Sequence, residues 1–365
     1  MSYSFSQADQ AYKSDNINDL GRDTGGRRYL LLKSLSRAEH TARLSAMHHI
    51  DLASTPRRQQ LEVLFESDIS ETAIKETIST IHHEQRQHRL AIEEELVNQL
   101  YLMESFDWGG LHQNSLEKTI VDNYVKRIVQ YDRLNECIDN ELLASMRGYV
   151  RCSWYNHWTS ILIEDIFKDH PRVIPAVGQI KKVDFFIDEV PFDLKVTYLP
   201  EGFIREWRSW QGDRPEITVL KRVARECSVA FDNDLPESRL LQFLVSRLAD
   251  HPQIAAKQAV QTVLAKRREA LQECTEDPAL LIRWLYENQG VRRFDASNRL
   301  FLVLVNEGNY FDSWKLKRAK ELLSGAIGSY LDNLDPSDIG REVDFQWEGR
   351  TYSSTSDALF VIHGA

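Results

Sequence analysis

Two short segments of alternating apolar and polar residues predict a β-hairpin over residues 182–198. Its apolar members are Val183, Phe185, Ile187, Phe192, Leu194 and Val196. Because successive side chains of a strand point to opposite faces of a sheet, this period of two predicts one apolar and one polar face. Asp184, Asp193 and Lys195 belong to the polar set.

The register of this hairpin decides whether its polar side chains meet. If Asp188–Glu189 forms a two-residue turn, Asp184 lies opposite Asp193, with their Cβ atoms roughly 5 Å apart. Lys195, two residues further on, then shares their face. Asp-Glu is not a favoured pair for a type I′ turn, and a slip of one residue would move Asp193 to the other face.

These side chains carry the chemistry of a metal-dependent nuclease. Two opposed carboxylates repel each other, which raises one pKa unless a cation lies between them. Mg²⁺ commonly takes one or two carboxylates together with water and phosphate oxygens, and the ammonium of Lys195 stands beside the pair. The competing interpretation is a surface hairpin whose solvent face is charged.

A third acid precedes the hairpin by about twenty residues. The segment Trp154–Phe167 predicts a helix that is apolar nearly all round and therefore buried. Asn156, Ser160 and Glu164 form a polar row along it at a spacing of four. A carboxylate in such a helix needs a partner, and the acids of the hairpin with their metal are one. A cap or a salt bridge for Glu164 is the alternative.

The order of a helix acid, a strand acid and a strand D-x-K resembles the PD-(D/E)XK nuclease superfamily, which has the restriction-endonuclease-like fold. The resemblance implies that Asp184 and Asp193 bind Mg²⁺, for which Mn²⁺ substitutes. It implies that Lys195 positions or activates the attacking water and that Glu164 assists the metal shell. The chain departs from the family pattern at Val183, where the family name has a loosely kept proline.

The resemblance extends over a limited part of the chain and implies a fold. Its motifs lie within about residues 154–200, and residues 299–365 complete the sheet. The predicted fold class is α/β (α+β), a restriction-endonuclease-like mixed sheet flanked by helices. The predicted strands are 182–187, 191–198, 299–305 and 358–363, and the flanking helices are Trp154–Phe167 and Ser313–Tyr330, the latter capped by Asp312 or Ser313.

Helical periodicity elsewhere divides the chain into three predicted parts. Residues 1–150 form a helical region that binds a partner, pairs two subunits or contacts DNA. Residues 151–200 together with 296–365 form the nuclease core. Residues 201–295 form a helical insertion, with helices at 240–248, 254–271 and 280–286.

The net charge of −10 argues against a generic basic nucleic-acid binder, so DNA contacts must come from local patches. Two patches interleave cations with tryptophan. The residues predicted to contact DNA are Lys315, Lys317, Arg318, Arg205 and Arg208. The competing interpretation of each patch is a solvated helix face.

Cysteine usage and hydropathy indicate a cytoplasmic protein. The four cysteines are scattered, without a C-x-x-C motif, which disfavours disulfides and a zinc site. No run of 18 apolar residues and no signal-peptide core is present.

These patterns together predict a Mg²⁺-dependent endodeoxyribonuclease. By family analogy alone, its role is restriction or another defence against foreign DNA. The predicted partners are DNA, a second copy of the chain in a homodimer, and other proteins of a defence system. A catalytically inactive nuclease-fold subunit that binds DNA or assists assembly is the alternative, and RNA as substrate stays open because nothing reads a 2′-hydroxyl.

Overall fold

The computed structural model describes residues 2–108, 116–180, 182–288, 298–335, 339 and 342–364. The end of the predicted helical insertion, residues 289–295, lies outside these ranges. Among the described helices, none combines the length and the apolar character needed to cross a bilayer. All four cysteines are buried free thiols.

Six helices build the N-terminal part and pack against the first two strands of the sheet. They are α1 Phe5–Lys13, α2 Ile17–Arg22, α3 Thr24–Ser34, α4 Ala38–Met47, α5 Arg57–Glu66 and α6 Glu71–Tyr101. The start of α6 follows from Ser70, whose side chain accepts a hydrogen bond from the Ala73 amide. The apolar side chains of α1–α6 share one core with Val177 and Phe186 of the sheet.

A second helical stretch leads from this region into the sheet. It comprises α7 Leu116–Ile120, a π-helical turn Val121–Val125, α8 Tyr131–Cys137, a second π-helical turn Ile138–Leu142, and α9 Leu143–Lys168. The predicted helix Trp154–Phe167 is therefore the C-terminal half of a longer one. The predicted burial of this segment holds only in part, because Trp154 is 38% exposed and Ser160 of the polar row is exposed.

The strands form one mixed six-stranded sheet, which confirms the mixed α/β class. They are β1 Val173–Ile180, β2 Val183–Ile187, β3 Val190–Tyr198, β4 Asn298–Asn306, β5 Glu342–Trp347 and β6 Arg350–His363. The spatial order is β1-β2-β3-β4-β6-β5. The pairs β3–β4 and β4–β6 are parallel, and the other pairs are antiparallel.

Strand β4 is the centre of the sheet and is covered on both faces, as its continuous apolar run predicts. Its even-numbered residues, such as Leu302, pack with α9 and the helix that follows β4. Its odd-numbered residues, such as Val303, pack with the insertion helices. One layer of helices therefore packs on each face of the sheet.

The insertion after β3 is helical, as predicted. Its described helices are α10 Glu201–Trp210, α11 Glu216–Glu226, α12 Glu237–Ala249, α13 Ile254–Glu276 and α14 Pro278–Glu287. A buried ion pair between Arg267 and Glu216, with a closest N–O distance of 2.6 Å, links α13 to α11. Both ions are more than nine-tenths buried, so each needs the other as its partner.

Two expectations near the sheet were incomplete or wrong. Strands β1 and β5 were missed, because Pro175 and Gly178 interrupt the pattern of β1 and β5 alternates over only six residues. The helix expected at Ser313–Tyr330 is instead a 3₁₀ helix, Tyr310–Arg318, followed by α15, Lys320–Asn333. Asn309 caps the 3₁₀ helix, so neither Asp312 nor Ser313 is the cap.

The turn of the β2–β3 hairpin has the two residues that the register requires. Ile187 pairs with Val190, and Asp188 and Glu189 adopt φ angles of 44° and 74°. These are left-handed conformations that residues with a side chain seldom adopt. Ion pairs hold the turn, since Asp188 binds Arg172 and Glu189 lies 2.5 Å from the Lys75 ammonium.

We expect Glu189→Gly to change the free energy of unfolding by less than about 1 kcal/mol. Glycine relieves the left-handed strain, and this gain offsets the loss of a partly exposed ion pair. Glu189→Val removes the same ion pair but keeps the strain, so it costs about 1–3 kcal/mol more. Urea denaturation of both variants measures this difference. Equal stability of the two variants would contradict the left-handed turn.

Candidate functional site

The candidate site lies where the hairpin strands separate. The antiparallel ladder of β2 and β3 ends at the pair Phe185–Phe192, one residue before the predicted pair Asp184–Asp193. Beyond this point, the amide of Leu194 donates a 2.8 Å hydrogen bond to Oδ2 of Asp184. A side-chain carboxylate therefore takes a position that a strand carbonyl occupies elsewhere in the ladder.

Asp184 is the most perturbed acid of the site. The pKa of its carboxyl is raised from 3.8 to about 6, mainly by burial and to a lesser extent by the nearby Glu164 and Asp193 carboxylates. The Leu194 amide and the Lys168 ammonium act in the opposite direction. Burial disfavours the charged form, and like charges add to that cost, so this carboxylate favours a cation beside it.

A cleft of about 520 Å³ opens onto Asp184. Glu164 and Lys168 of α9 and Tyr12 of α1 contribute to its wall. The Lys168 ammonium lies 2.6 Å from Oε2 of Glu164, four residues earlier on the same helix. Glu164 therefore forms a salt bridge, as the alternative prediction states. This ion pair nevertheless lines the same cleft as Asp184.

Sequence reasoning missed Lys168. The available signal was the Glu164–Lys168 spacing of four residues, which places the two side chains on one face of a helix. The predicted polar row runs from Glu164 toward the helix N-terminus, to Ser160 and Asn156, and therefore does not include Lys168. Asn156 has another role, since its Oδ1 accepts a hydrogen bond from the Lys317 ammonium.

Asp193 and Lys195 meet on β3, as their shared face predicts. The Lys195 ammonium lies 2.6 Å from Oδ1 of Asp193, and Nε of Arg299 lies 3.6 Å from the other carboxylate oxygen. The parallel register places Arg299 directly beside Asp193. Asp193 is only 6% exposed, whereas the Lys195 side chain is 48% exposed, so the lysine is accessible from solvent.

The structure brings the predicted site residues together in two pairs. Glu164 and Asp184 share the cleft, and Asp193 and Lys195 share an ion pair. Asp184 connects them through the Leu194 amide and its electrostatic coupling to Asp193. Across the described ranges, no three acidic, histidine or cysteine side chains are grouped closely enough to hold a metal ion. The three predicted acids, Glu164, Asp184 and Asp193, therefore do not form such a group.

The donor chemistry of these residues still fits the Mg²⁺ that the family resemblance implies. Mg²⁺ commonly binds one or two carboxylates and keeps several waters. Asp184 is a partly buried carboxylate whose pKa is raised by burial and by two neighbouring acids, Glu164 and Asp193. A divalent cation reverses that electrostatic cost, and a two-carboxylate shell needs no third acid.

The predicted DNA contacts from the region after β4 are mostly engaged inside the protein. Arg318 is buried, and its Nη1 donates to the carbonyl oxygens of Leu100 and Met103 at 2.8 and 2.7 Å. Lys317 is buried as well, and burial lowers the pKa of its ammonium to about 8. Lys315 is one-third exposed and pairs with Asp312 at 2.9 Å.

The predicted contacts from the insertion are similarly engaged. Arg208 is 4% exposed, and its Nε donates to the carbonyl oxygen of Arg214. Arg205 is exposed and pairs with Glu237. We therefore assign Arg318, Lys317 and Arg208 a structural role.

Comparison with known proteins adds no relative. We found no match to the chain among protein-family models, curated proteins or solved structures.

Proposed function

We propose that this protein is a Mg²⁺-dependent endonuclease that hydrolyses phosphodiester bonds of DNA. The observation that carries the proposal is Asp184, a partly buried carboxylate with a raised pKa that shares a cleft with Glu164 and is coupled electrostatically to Asp193. A half-exposed lysine lies on the adjacent strand. This combination is typical of functional sites because a purely structural acid is better served by a full ion pair.

Asp184 and Asp193 are the residues that hold the Mg²⁺, and Glu164 supports them from α9. When bound, the ion neutralises charge on the scissile phosphate and lowers the pKa of a bound water. Lys168 keeps the Glu164 carboxylate oriented through their 2.6 Å contact. The Asp184 carboxylate is fixed by the Leu194 amide, so its orientation does not depend on a mobile side chain.

Lys195 is the residue that orients the attacking water or stabilises the charge of the pentavalent transition state. Its ammonium is directed by Asp193 and still half exposed, so one side remains available to a substrate phosphate or a water. A positioned cation at developing negative charge is among the larger contributions to such catalysis.

The biological use that fits this chemistry is restriction or another defence against foreign DNA, by family analogy. A homodimer fits a double-strand cut, because each strand then meets its own site. Proteins of the same defence system are the further partners of this proposal.

The second candidate function is a catalytically inactive nuclease-fold subunit that binds DNA or assists assembly. One observation favours it: Asp193 already has the Lys195 ammonium at 2.6 Å and the Arg299 guanidinium at 3.6 Å. A carboxylate with two cationic partners gains less from a metal ion than one without them.

Incubation of the purified protein with plasmid DNA, with and without Mg²⁺, separates the two functions. The proposal predicts relaxed and linear products that form only with Mg²⁺ or Mn²⁺ and disappear with EDTA. A labelled RNA in a parallel reaction decides the substrate class. No cleavage of either nucleic acid, together with no heat of Mn²⁺ binding in calorimetry, would support the inactive subunit instead.

A further inference from the structure

The N-terminal half of α9 is left largely uncovered by the residues that the structure describes. None of residues 143–151 is buried, and the first buried residue of the helix is Cys152. Three apolar side chains are exposed along it, since Leu143 is 46%, Val150 56% and Trp154 38% accessible. Arg147 is exposed among them.

The charge of this surface differs in sign from that of the whole chain. Residues 143–163 contain two arginines, Arg147 and Arg151, and no aspartate or glutamate, whereas the chain carries −10. His157 is exposed on the same stretch. An acid close to the helix, Asp107, lies against Cys152 on the opposite side and is paired with Arg239. Within residues 143–163 the exposed face therefore carries arginines without acids, whereas the exposed Asp139 and Glu141 lie just before it.

Helical spacing connects this face to the candidate site. Residues seven apart lie two turns apart on nearly the same side of a helix. With a drift of about 20° for every seven residues, Trp154 and Arg147 point roughly 40° and 60° away from the direction of Lys168. His157 and Val150 point roughly 20° and 40° away from that of Glu164. At 1.5 Å per residue, Arg151 and Arg147 stand roughly 20 and 26 Å from Glu164 along the axis.

We propose that this exposed face of α9 binds the backbone of the DNA substrate and leads one strand to the site at its C-terminal end. The inference rests on the proposed nuclease function. Arginine guanidinium groups bind phosphate with two parallel hydrogen bonds, and the exposed Trp154, which follows both arginines on the helix, provides a stacking surface for a base. The distances correspond to roughly six to eight nucleotides at 3.4 Å per phosphate.

A second copy of the chain fits this face less well. In a twofold-symmetric contact the same patch lies on both sides of the interface. A face without acids would then bring the arginines of both copies into one interface with no carboxylate from this face to pair with them, and like charges across an interface are unfavourable. Phosphate groups supply the negative charge that this face lacks.

The salt dependence of DNA binding tests the proposal. The probe is a fluorescein-labelled DNA duplex in EDTA, so that binding is measured without cleavage, with anisotropy recorded over a range of NaCl concentrations. The double variant Arg147→Gln/Arg151→Gln is compared with Arg57→Gln/Arg58→Gln, which removes two exposed arginines from α5. Each phosphate contact contributes about 0.9 to the slope of log K against log salt.

We expect the α9 double variant to reduce the magnitude of that slope by about 1.8 and to weaken binding about tenfold or more at moderate salt. The α5 variant keeps the wild-type slope. If the two double variants bind DNA with the same affinity and the same salt slope while the wild-type protein cleaves plasmid, α9 is not the DNA-binding surface. The nuclease proposal is then retained. If the wild-type protein neither binds nor cleaves, the nuclease proposal itself fails.

Sedimentation of the Trp154→Ala variant tests whether this face of α9 instead contacts a second copy of the chain. The proposal predicts an unchanged mass and weaker DNA binding for this variant. A loss of dimer with unchanged DNA affinity would overturn the proposal and assign the face to a subunit contact.

Discussion

Asp184→Asn is expected to lower Mg²⁺-dependent DNA cleavage by about 10³-fold or more. A metal at the scissile phosphate is worth several kcal/mol of transition-state stabilisation, and about 4 kcal/mol corresponds to that factor. Asparagine has nearly the same shape and still accepts the hydrogen bond from the Leu194 amide. The loss therefore reports the missing charge and not a displaced strand. Initial rates of plasmid cleavage measure it.

The same substitution is expected to stabilise the fold at neutral pH by about 1–3 kcal/mol. The carboxyl of Asp184 has a pKa of about 6 in the folded protein against 3.8 without its surroundings. A raised folded-state pKa contributes stability that is fully present below about pH 4 and is lost as the pH rises through 6. Asparagine does not ionise, so the variant lacks this loss. Urea denaturation at pH 5 and pH 8 measures the difference.

Opposite changes in activity and stability are the signature of a residue kept for function. The matched control is Asp139→Asn, which neutralises an exposed acid on the second π-helical turn. The control retains cleavage and shifts stability by less than about 0.5 kcal/mol. If Asp184→Asn cleaves DNA at the wild-type rate, Asp184 is not a metal ligand of a nuclease.

Lys195→Ala is expected to lower the cleavage rate constant by about 10²–10³-fold while Mn²⁺ binding is retained. The removal of one positioned donor at developing negative charge has effects of this size. Asp193 keeps Arg299 as a partner at 3.6 Å, so the fold and the carboxylate persist. Single-turnover kinetics with saturating protein separate the chemical step from DNA binding.

Lys168→Ala provides the comparison for that result. Lys168 contacts Glu164 and lines the cleft, yet its side chain is only 11% exposed. We therefore expect a smaller loss than for Lys195→Ala, through a less well-oriented Glu164. Lys257→Ala, on the exposed surface of α13, is the control. If Lys168→Ala lowers the cleavage rate more than Lys195→Ala does, Lys168 is the lysine that acts on the water or the transition state, and Lys195 has the supporting role.

The hairpin and the central strand could be predicted from the sequence because their patterns are local. Alternation over residues 183–187 and 190–198 gives the strands and their register, and the apolar run of β4 predicts burial on both faces. The ion pairs of Asp188 and Glu189 come from Arg172 and Lys75, distant in sequence. Pattern alone therefore left the unusual turn unexplained.

The basic residues were harder to place, because their burial depends on tertiary packing. Arg318 lies beside Lys315 in sequence, yet its guanidinium reaches two carbonyl oxygens at the end of α6. No periodicity of the 3₁₀ segment predicts this contact with a helix more than two hundred residues earlier. Arg147 and Arg151 were not among the predicted DNA contacts, because the predicted helix begins only at Trp154 whereas α9 begins at Leu143.

The most direct test of the central claim is calorimetric titration of Mn²⁺ into the wild-type protein and into Asp184→Asn at the same pH. The account predicts saturable binding to the wild-type protein and a loss of that binding in the variant, while Asp139→Asn binds as the wild type does. Equal Mn²⁺ affinity in wild type and Asp184→Asn, or no binding to either, would contradict a metal site at Asp184.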